Sequence, residues 1–210
     1  MRALRLLAVA GLLALAGPFA LAGCDGGAGS PSADSVVSSG PRCIERVPVG
    51  VGASGRTESG SAFPALPAMA LQCFDGGRWT DLADLGGMPT VVNLWGSWCP
   101  PCRTELPAMQ RLATDGAGRV RVVGVVTKDR HDQAQSVIDD AKLTFPMLED
   151  QRQQFAIAVG PLVSKALVSL PATVFVTAGG RIAYAYQGEP LTDARLRELT
   201  RQHLGVEVGQ

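Results

Sequence analysis

Apolar residues recur along this chain with two different periods, and their order predicts the fold. Thr90-Val-Val-Asn-Leu-Trp95 and Val120-Arg-Val-Val-Gly-Val-Val126 are near-continuous apolar runs. Such runs suit central strands buried on both faces. Between them Leu106, Met109 and Leu112 fall at helical spacing, with Pro107 expected to kink the helix. Upstream, residues 69–74 read as a strand and 75–77 as a turn, and 79–85 lead on to Gly86-Gly87. Downstream, residues 131–142 form a helical pattern with Ala134, Val137, Ile138 and Ala141 on one side. Residues 145–148 read as a short extended piece and 151–159 as another helix, while 160–170 show no clear period. A strand at 172–177, a hairpin turn at 178–181 and a partner strand at 182–186 follow. The last helix opens with Thr192 as N-cap, Leu191 and Leu196 as a hydrophobic staple, and Gly205 as its stop. This order predicts an α/β fold, a mixed sheet covered on both faces. No internal repeats occur.

The first sixty positions depart from that pattern. Met1-Arg-Ala-Leu-Arg5 is basic, and residues 6–20 are apolar apart from Pro18. The run is shorter than the roughly 20 residues a membrane-spanning helix prefers. It ends in Leu21-Ala-Gly-Cys24, which resembles a bacterial lipobox and implies a signal peptide over 1–23 and lipidation of Cys24. An uncleaved anchor, or export with Cys24 unmodified, are the alternatives. Residues 24–41 are rich in Gly, Ser, Ala, Pro and Asp and suit a flexible tether. Residues 42–63 form an N-terminal extension in which Val47-Pro-Val-Gly-Val51 suits a strand and the glycines around it suit loop. The main domain then runs over 64–208, and 210 residues fit one such domain with tails. Formal net charge is zero and no Lys/Arg cluster stands out, so nucleic acid is not an expected partner.

Chemistry concentrates at Trp95-Gly-Ser-Trp-Cys-Pro-Pro-Cys-Arg-Thr-Glu-Leu-Pro107. Two cysteines three apart at a strand-to-helix junction read as a redox dithiol. A thiolate at the first turn of a helix faces unpaired amides and the positive end of the dipole. Cys99 is therefore the expected nucleophile and Cys102 the resolving thiol. Half of a zinc site is the competing reading. It needs a second pair of ligands, whereas the other cysteines lie at 24, 43 and 73 and His131 and His203 stand apart. In an exported protein Cys43 and Cys73 are expected to bond to each other. Free thiols or a second redox pair are the other options for them. No metal, flavin or nucleotide is expected, because both electrons of the exchange reside in the dithiol. Pro100 and Pro101 carry no N–H, which removes two donors from the first turn and points to a reducing or moderate couple rather than a strong oxidant.

The stretch from Val91 to Pro107, together with Leu170-Pro-Ala-Thr-Val-Phe175, resembles the thioredoxin superfamily, and within it the membrane-tethered TlpA- and ResA-like thiol-disulfide oxidoreductases. The resemblance covers roughly 64–204. It implies a three-layer sandwich with a mixed central sheet and an inserted strand–helix segment, which 128–154 would supply. It implies a cis peptide bond before Pro171 and a buried acidic residue at Glu105 that tunes thiol acidity. Asn93 stands where many thioredoxins carry a buried aspartate, which gives Glu105 more to do. Trp98, Pro100 and Leu170 are the expected substrate contacts, with Trp95 also beside the dithiol. Arg103, Lys128, Asp129 and His131 are expected to be solvated surface groups. The implied protein is a monomer at the outer face of the bacterial cell membrane. Its implied partners are protein thiols and disulfides and a membrane electron donor or acceptor. Three functions follow: a reductase, for example of apocytochrome c before haem attachment; an oxidase or isomerase; or a thiolate metal-handling lipoprotein. A peroxidase reading lacks a separate peroxide-reactive cysteine motif.

Overall fold

The computed structural model describes residues 43–45, 47, 64–163 and 169–209. Cys24, the signal peptide, the tether and most of the N-terminal extension lie outside these residues. No helix among the described residues is long and apolar enough to cross a membrane.

The chain order is β1 (Ala70–Cys73), β2 (Trp79–Asp81), β3 (Thr90–Trp95), α1 (Pro100–Asp115), β4 (Arg121–Thr127), α2 (His131–Asp140), β5 (Met147–Asp150), α3 (Gln154–Val159), β6 (Ala172–Val176), β7 (Ile182–Gln187) and α4 (Asp193–Leu204). Single 3-10 turns follow β2 and α3. The strands form one sheet in the order β2-β1-β5-β4-β3-β6-β7. β3 pairs with β4, and β4 with β5, in parallel, while the remaining pairs are antiparallel. This is a thioredoxin-like α/β fold with a mixed central sheet.

Strand period 2 divides the core. Every residue of β3 is buried. Val91 and Trp95 join the cluster beneath α1 and α4, with Leu106, Met109, Leu196 and Leu199. Val92 and Leu94 join the opposite cluster with Phe155, Val123, Val174 and Ile44. Asn93 lies in register with Val91 and Trp95, so its amide faces α1 from within an apolar layer.

Several element ends differ from the sequence pattern, each for a tertiary reason. α2 stops at Asp140 rather than 142, because Lys142 adopts a positive φ of 51° and Leu143 N–H bonds back to Ile138 O. β5 occupies Met147–Asp150 rather than 145–148, in register with β4. α3 starts at Gln154 because the Asp150 carboxylate accepts from Gln154 N–H at 2.8 Å and Phe155 N–H at 2.9 Å. α1 continues through Pro107. At the C-terminus Thr192 Oγ1 accepts from Arg195 N–H, Leu191 and Leu196 are both buried, and Gly205 closes α4 with φ 68°.

The described N-terminal residues are fastened to the sheet. Cys43 and Cys73 form a disulfide with a Cα separation of 5.9 Å, and Thr80 Oγ1 lies 3.0 Å from the Cys43 sulfur. Ile44 is buried, and the Arg121 guanidinium donates to Glu45 O and Asp84 O. Gly87 has φ 86°, and a Cβ there would collide with the Val47 carbonyl, so only glycine fits that crossing.

Candidate active site

The apolar drive that buries β3 carries the chain to the sheet edge at Trp95. There Gly96 to Trp98 turn it into α1. Cys99 is the N-cap of α1, in extended backbone geometry, and Pro100 and Pro101 hold the first two helical positions. Cys99 and Cys102 are joined, with Cα atoms 5.3 Å apart, and Cys102 N–H donates to Cys99 Sγ at 3.2 Å. Cys99 is 4% exposed and Cys102 1%, so both are buried and Cys99 is slightly the less so. Trp98 is 53% exposed and Pro100 is exposed, while Trp95 is wholly buried in the strand.

Three residues after Cys102, on the same side of α1, Glu105 is buried at 1% exposure. Asn93 Nδ2–H donates to its carboxylate at 3.4 Å, and Thr173 Oγ1 lies 3.5 Å from the other oxygen. Burial pushes the Glu105 carboxyl up to about 7, outweighing hydrogen bonds from the Leu191 backbone, Asn93 and Thr173 that act the other way. Asn93 Oδ1 has no partner, although it is buried.

The Leu170–Pro171 peptide is cis. Leu94 pairs with Ala172, so Pro171 falls opposite the end of β3, where the dithiol turn begins. Pro171 is buried and Leu170 half-buried. The structure thus brings Cys99, Cys102, Glu105, Trp98, Pro100, Leu170 and Pro171 to one end of the central strands. Cys43 and Cys73 stand apart, on β1 and the segment before it. Among the described residues no group of three or more His, Cys, Asp or Glu side chains is placed to hold a metal ion.

One sequence expectation is corrected. Asp129 is 6% exposed, and its carboxylate takes Ser97 N–H and Ser97 Oγ–H, the latter at 2.7 Å. It is no solvated charge, because a carboxylate this buried survives only with several donors. Lys128 is exposed, but its carbonyl accepts Trp98 Nε1–H at 3.1 Å. His131 is also exposed, yet it stacks on Phe74 with centroids 4.2 Å apart and bonds Glu149 at 2.6 Å. Thr173 and the Leu191 amide were not legible either. The available signal for Asp129 was its place just beyond the parallel neighbour of the strand that leads into the dithiol.

Comparison with known proteins agrees with this geometry. The profile of the family described as AhpC/TSA matches residues 64–185. The thioredoxin-like protein YneN of Bacillus subtilis is 34% identical over 89 residues, which are 41% of this chain and 52% of that one. This chain therefore spans about half the length of that relative. The sporulation thiol-disulfide oxidoreductase A of the same organism is 28% identical over 153 residues, covering 70% of this chain and 87% of its own. Among solved structures, a thiol:disulfide interchange protein of the thioredoxin family from Chlorobium tepidum superposes with a TM-score of 0.60 at 21% identity. It covers 69% of this chain and 99% of its own, and at that identity the likeness speaks for the fold alone.

Proposed function

Because the chain belongs to the AhpC/TSA family and carries a cysteine pair at a helix N-terminus, we propose that it is a protein thiol-disulfide oxidoreductase. The observation that carries the reading is the Cys102 N–H aimed at Cys99 Sγ from 3.2 Å, which favours a thiolate on Cys99. In the reducing direction the Cys99 thiolate attacks a target disulfide. A mixed disulfide forms and one target sulfur leaves as a thiolate. Cys102 then gives up its proton and attacks Cys99 Sγ, so the Cys99–Cys102 bond forms as the mixed bond breaks. Two electrons have passed from the dithiol to the target, and no other cofactor is required. Glu105, buried one turn along α1 from Cys102 with its carboxyl pushed up to about 7, suits the role of proton acceptor in that second step.

The finer reading is a reductase of selected disulfides, such as those of apocytochrome c, held outside the cytoplasmic membrane by a lipid on Cys24 and recharged by a membrane electron donor. The absence of N–H groups on Pro100 and Pro101 supports reducing character, and Trp98, Pro100 and Leu170 would contact the target chain. Trapping tests the reading. Cys102→Ala should accumulate mixed disulfides on Cys99 with exported proteins, and recovery of none would refute the exchange chemistry. A reduction potential close to that of a strong oxidase, about −120 mV, would turn the assignment to an oxidase. If Cys24→Ser remained equally membrane-bound, the lipid anchor would be wrong.

A further inference from the structure

The three residues before Cys99 are held by the three residues that follow Val126. Cys99 N–H donates to Gly96 O at 3.1 Å, which closes a tight turn. The amide of the second residue in such a turn, Ser97, finds no partner within it. Asp129 supplies one: one carboxylate oxygen accepts Ser97 N–H, and the other accepts Ser97 Oγ–H at 2.7 Å and Arg130 N–H at 2.8 Å. Trp98 Nε1–H reaches Lys128 O, and a Cβ on Gly96 would sit 3.3 Å from Thr127 O. Behind the clamp, Gln151 Nε2–H donates to Asp129 O at 2.7 Å and Lys128 N–H to Asp150 O at 3.2 Å. The turn is thereby tied to both ends of the α2–β5 segment.

The consequence falls on Cys99. With prolines at the first two helical positions, Cys102 N–H is the first amide of α1, and it is the donor that reaches Cys99 Sγ. Hydrogen bonds weaken steeply with misalignment. A thiolate served by a single helical amide therefore depends on where the turn sets its sulfur. We propose that Asp129 is a positioning residue: by clamping Ser97 it fixes the turn from Gly96 to Cys99 and holds the Cys99 sulfur under the Cys102 amide, so that the thiol ionises readily. The ionisable groups on the backbone nearest the dithiol are Cys102, Arg103 and Glu105 in the first two turns of α1 and Lys128, Asp129 and Arg130 just beyond β4; β3 and residues 169–176 carry none. The value of this device for catalysis rests on the exchange reading above, but its effect on Cys99 does not.

The test compares Asp129→Asn with Asp129→Ala in the full, reduced chain. Both are neutral, so their difference reads the clamp and not the charge. Asn can still accept Ser97 N–H. Cys99 ionisation is followed by thiolate absorbance and by its alkylation rate with iodoacetamide across pH. The expected result is an apparent Cys99 pKa about one unit higher in Ala than in Asn, hence about tenfold slower alkylation below that pKa. Values within about 0.2 unit of each other in folded proteins would overturn the proposal. Should Asp129→Ala fail to fold, Asp129→Ser, which is neutral and one bond shorter than the carboxylate, takes its place: a Cys99 pKa above that of Asn supports the clamp, and equal values overturn it. Alkylation needs no target disulfide, so an unchanged difference alongside a failed Cys102→Ala trap would sink the oxidoreductase reading and leave the positioning role standing.

Discussion

Replacing Glu105 by Gln should make the protein more stable at neutral and alkaline pH, although it deletes a charge from the centre of the site. The folded state raises the Glu105 carboxyl from 4.5 to about 7. A raised carboxyl favours the protonated form, so its contribution to stability is fully present below about pH 4.5 and is lost as pH rises through 7. The gap of 7 − 4.5 = 2.5 units, at 1.36 kcal/mol each, comes to roughly 3 kcal/mol. At 1% exposure little solvent screening reduces that figure. Gln is nearly isosteric and keeps one carbonyl acceptor for the donors around it. Urea unfolding of both proteins with their disulfides intact, followed by tryptophan fluorescence from pH 4 to 8.5, measures the difference. Stability of Gln relative to wild type should rise by about 3 kcal/mol between pH 4 and pH 8 and level off on either side. In thermal scans this corresponds to roughly 6–12 °C for a chain of this size. A difference that does not vary with pH would refute a carboxyl titrating in that window.

Three further outcomes are expected. The double change Cys43→Ala and Cys73→Ala removes a bridge spanning 30 residues and should lower the unfolding free energy by roughly 3–4 kcal/mol, read from the urea midpoint; a loss below about 1 kcal/mol would contradict the chain-entropy account. Thr192→Ala deletes the side-chain acceptor for Arg195 N–H and should cost about 1 kcal/mol by the same measurement, with Thr192→Asp close to neutral. Gly124→Ala would push a Cβ into Met147 Sδ and to within 3.1 Å of Trp95 Nε1; it should destabilise by about 1–3 kcal/mol, and added Met147→Ala should recover part of the loss.

What the sequence discloses and what it hides divide by the distance over which the cause acts. Period and composition suffice for β3 and β4, because strands buried on both faces need apolar side chains at every position but one or two. Thr192, Leu196 and Gly205 declare α4 for the same local reason. The start of α3 is hidden because the acceptor for its first two amides, Asp150, belongs to the preceding strand, and nothing local marks it for that task. At the site, the dithiol is legible as spacing alone. Asn93 and Thr173 become partners of Glu105 only after α1 and β6 pack with β3, 12 and 68 residues apart along the chain from the carboxylate. Asp129 acts across 32 residues on a backbone amide, and no residue type marks an amide that will need a buried acceptor.

Strand direction explains why these distant pieces meet. β4 runs parallel to β3, and Trp95 pairs with Val126, so the residues leaving β4 emerge beside the residues leaving β3. That is how Asp129 comes to lie against Ser97. β6 is antiparallel to β3, so it is the start of β6, not its end, that stands next to the same edge: Ala172 pairs with Leu94. Pro171 and Thr173 arrive there by that reversal. A parallel β6 would bring residues 177–178 to this edge and carry Pro171 to the far end of the sheet, away from Cys99. The mixed character of the sheet is therefore a requirement of the site. One parallel and one antiparallel neighbour let β3 collect a clamp for its outgoing turn from one side and a proline and a hydroxyl from the other. The same sheet edge is where α1 begins, with its first amide aimed at the Cys99 sulfur.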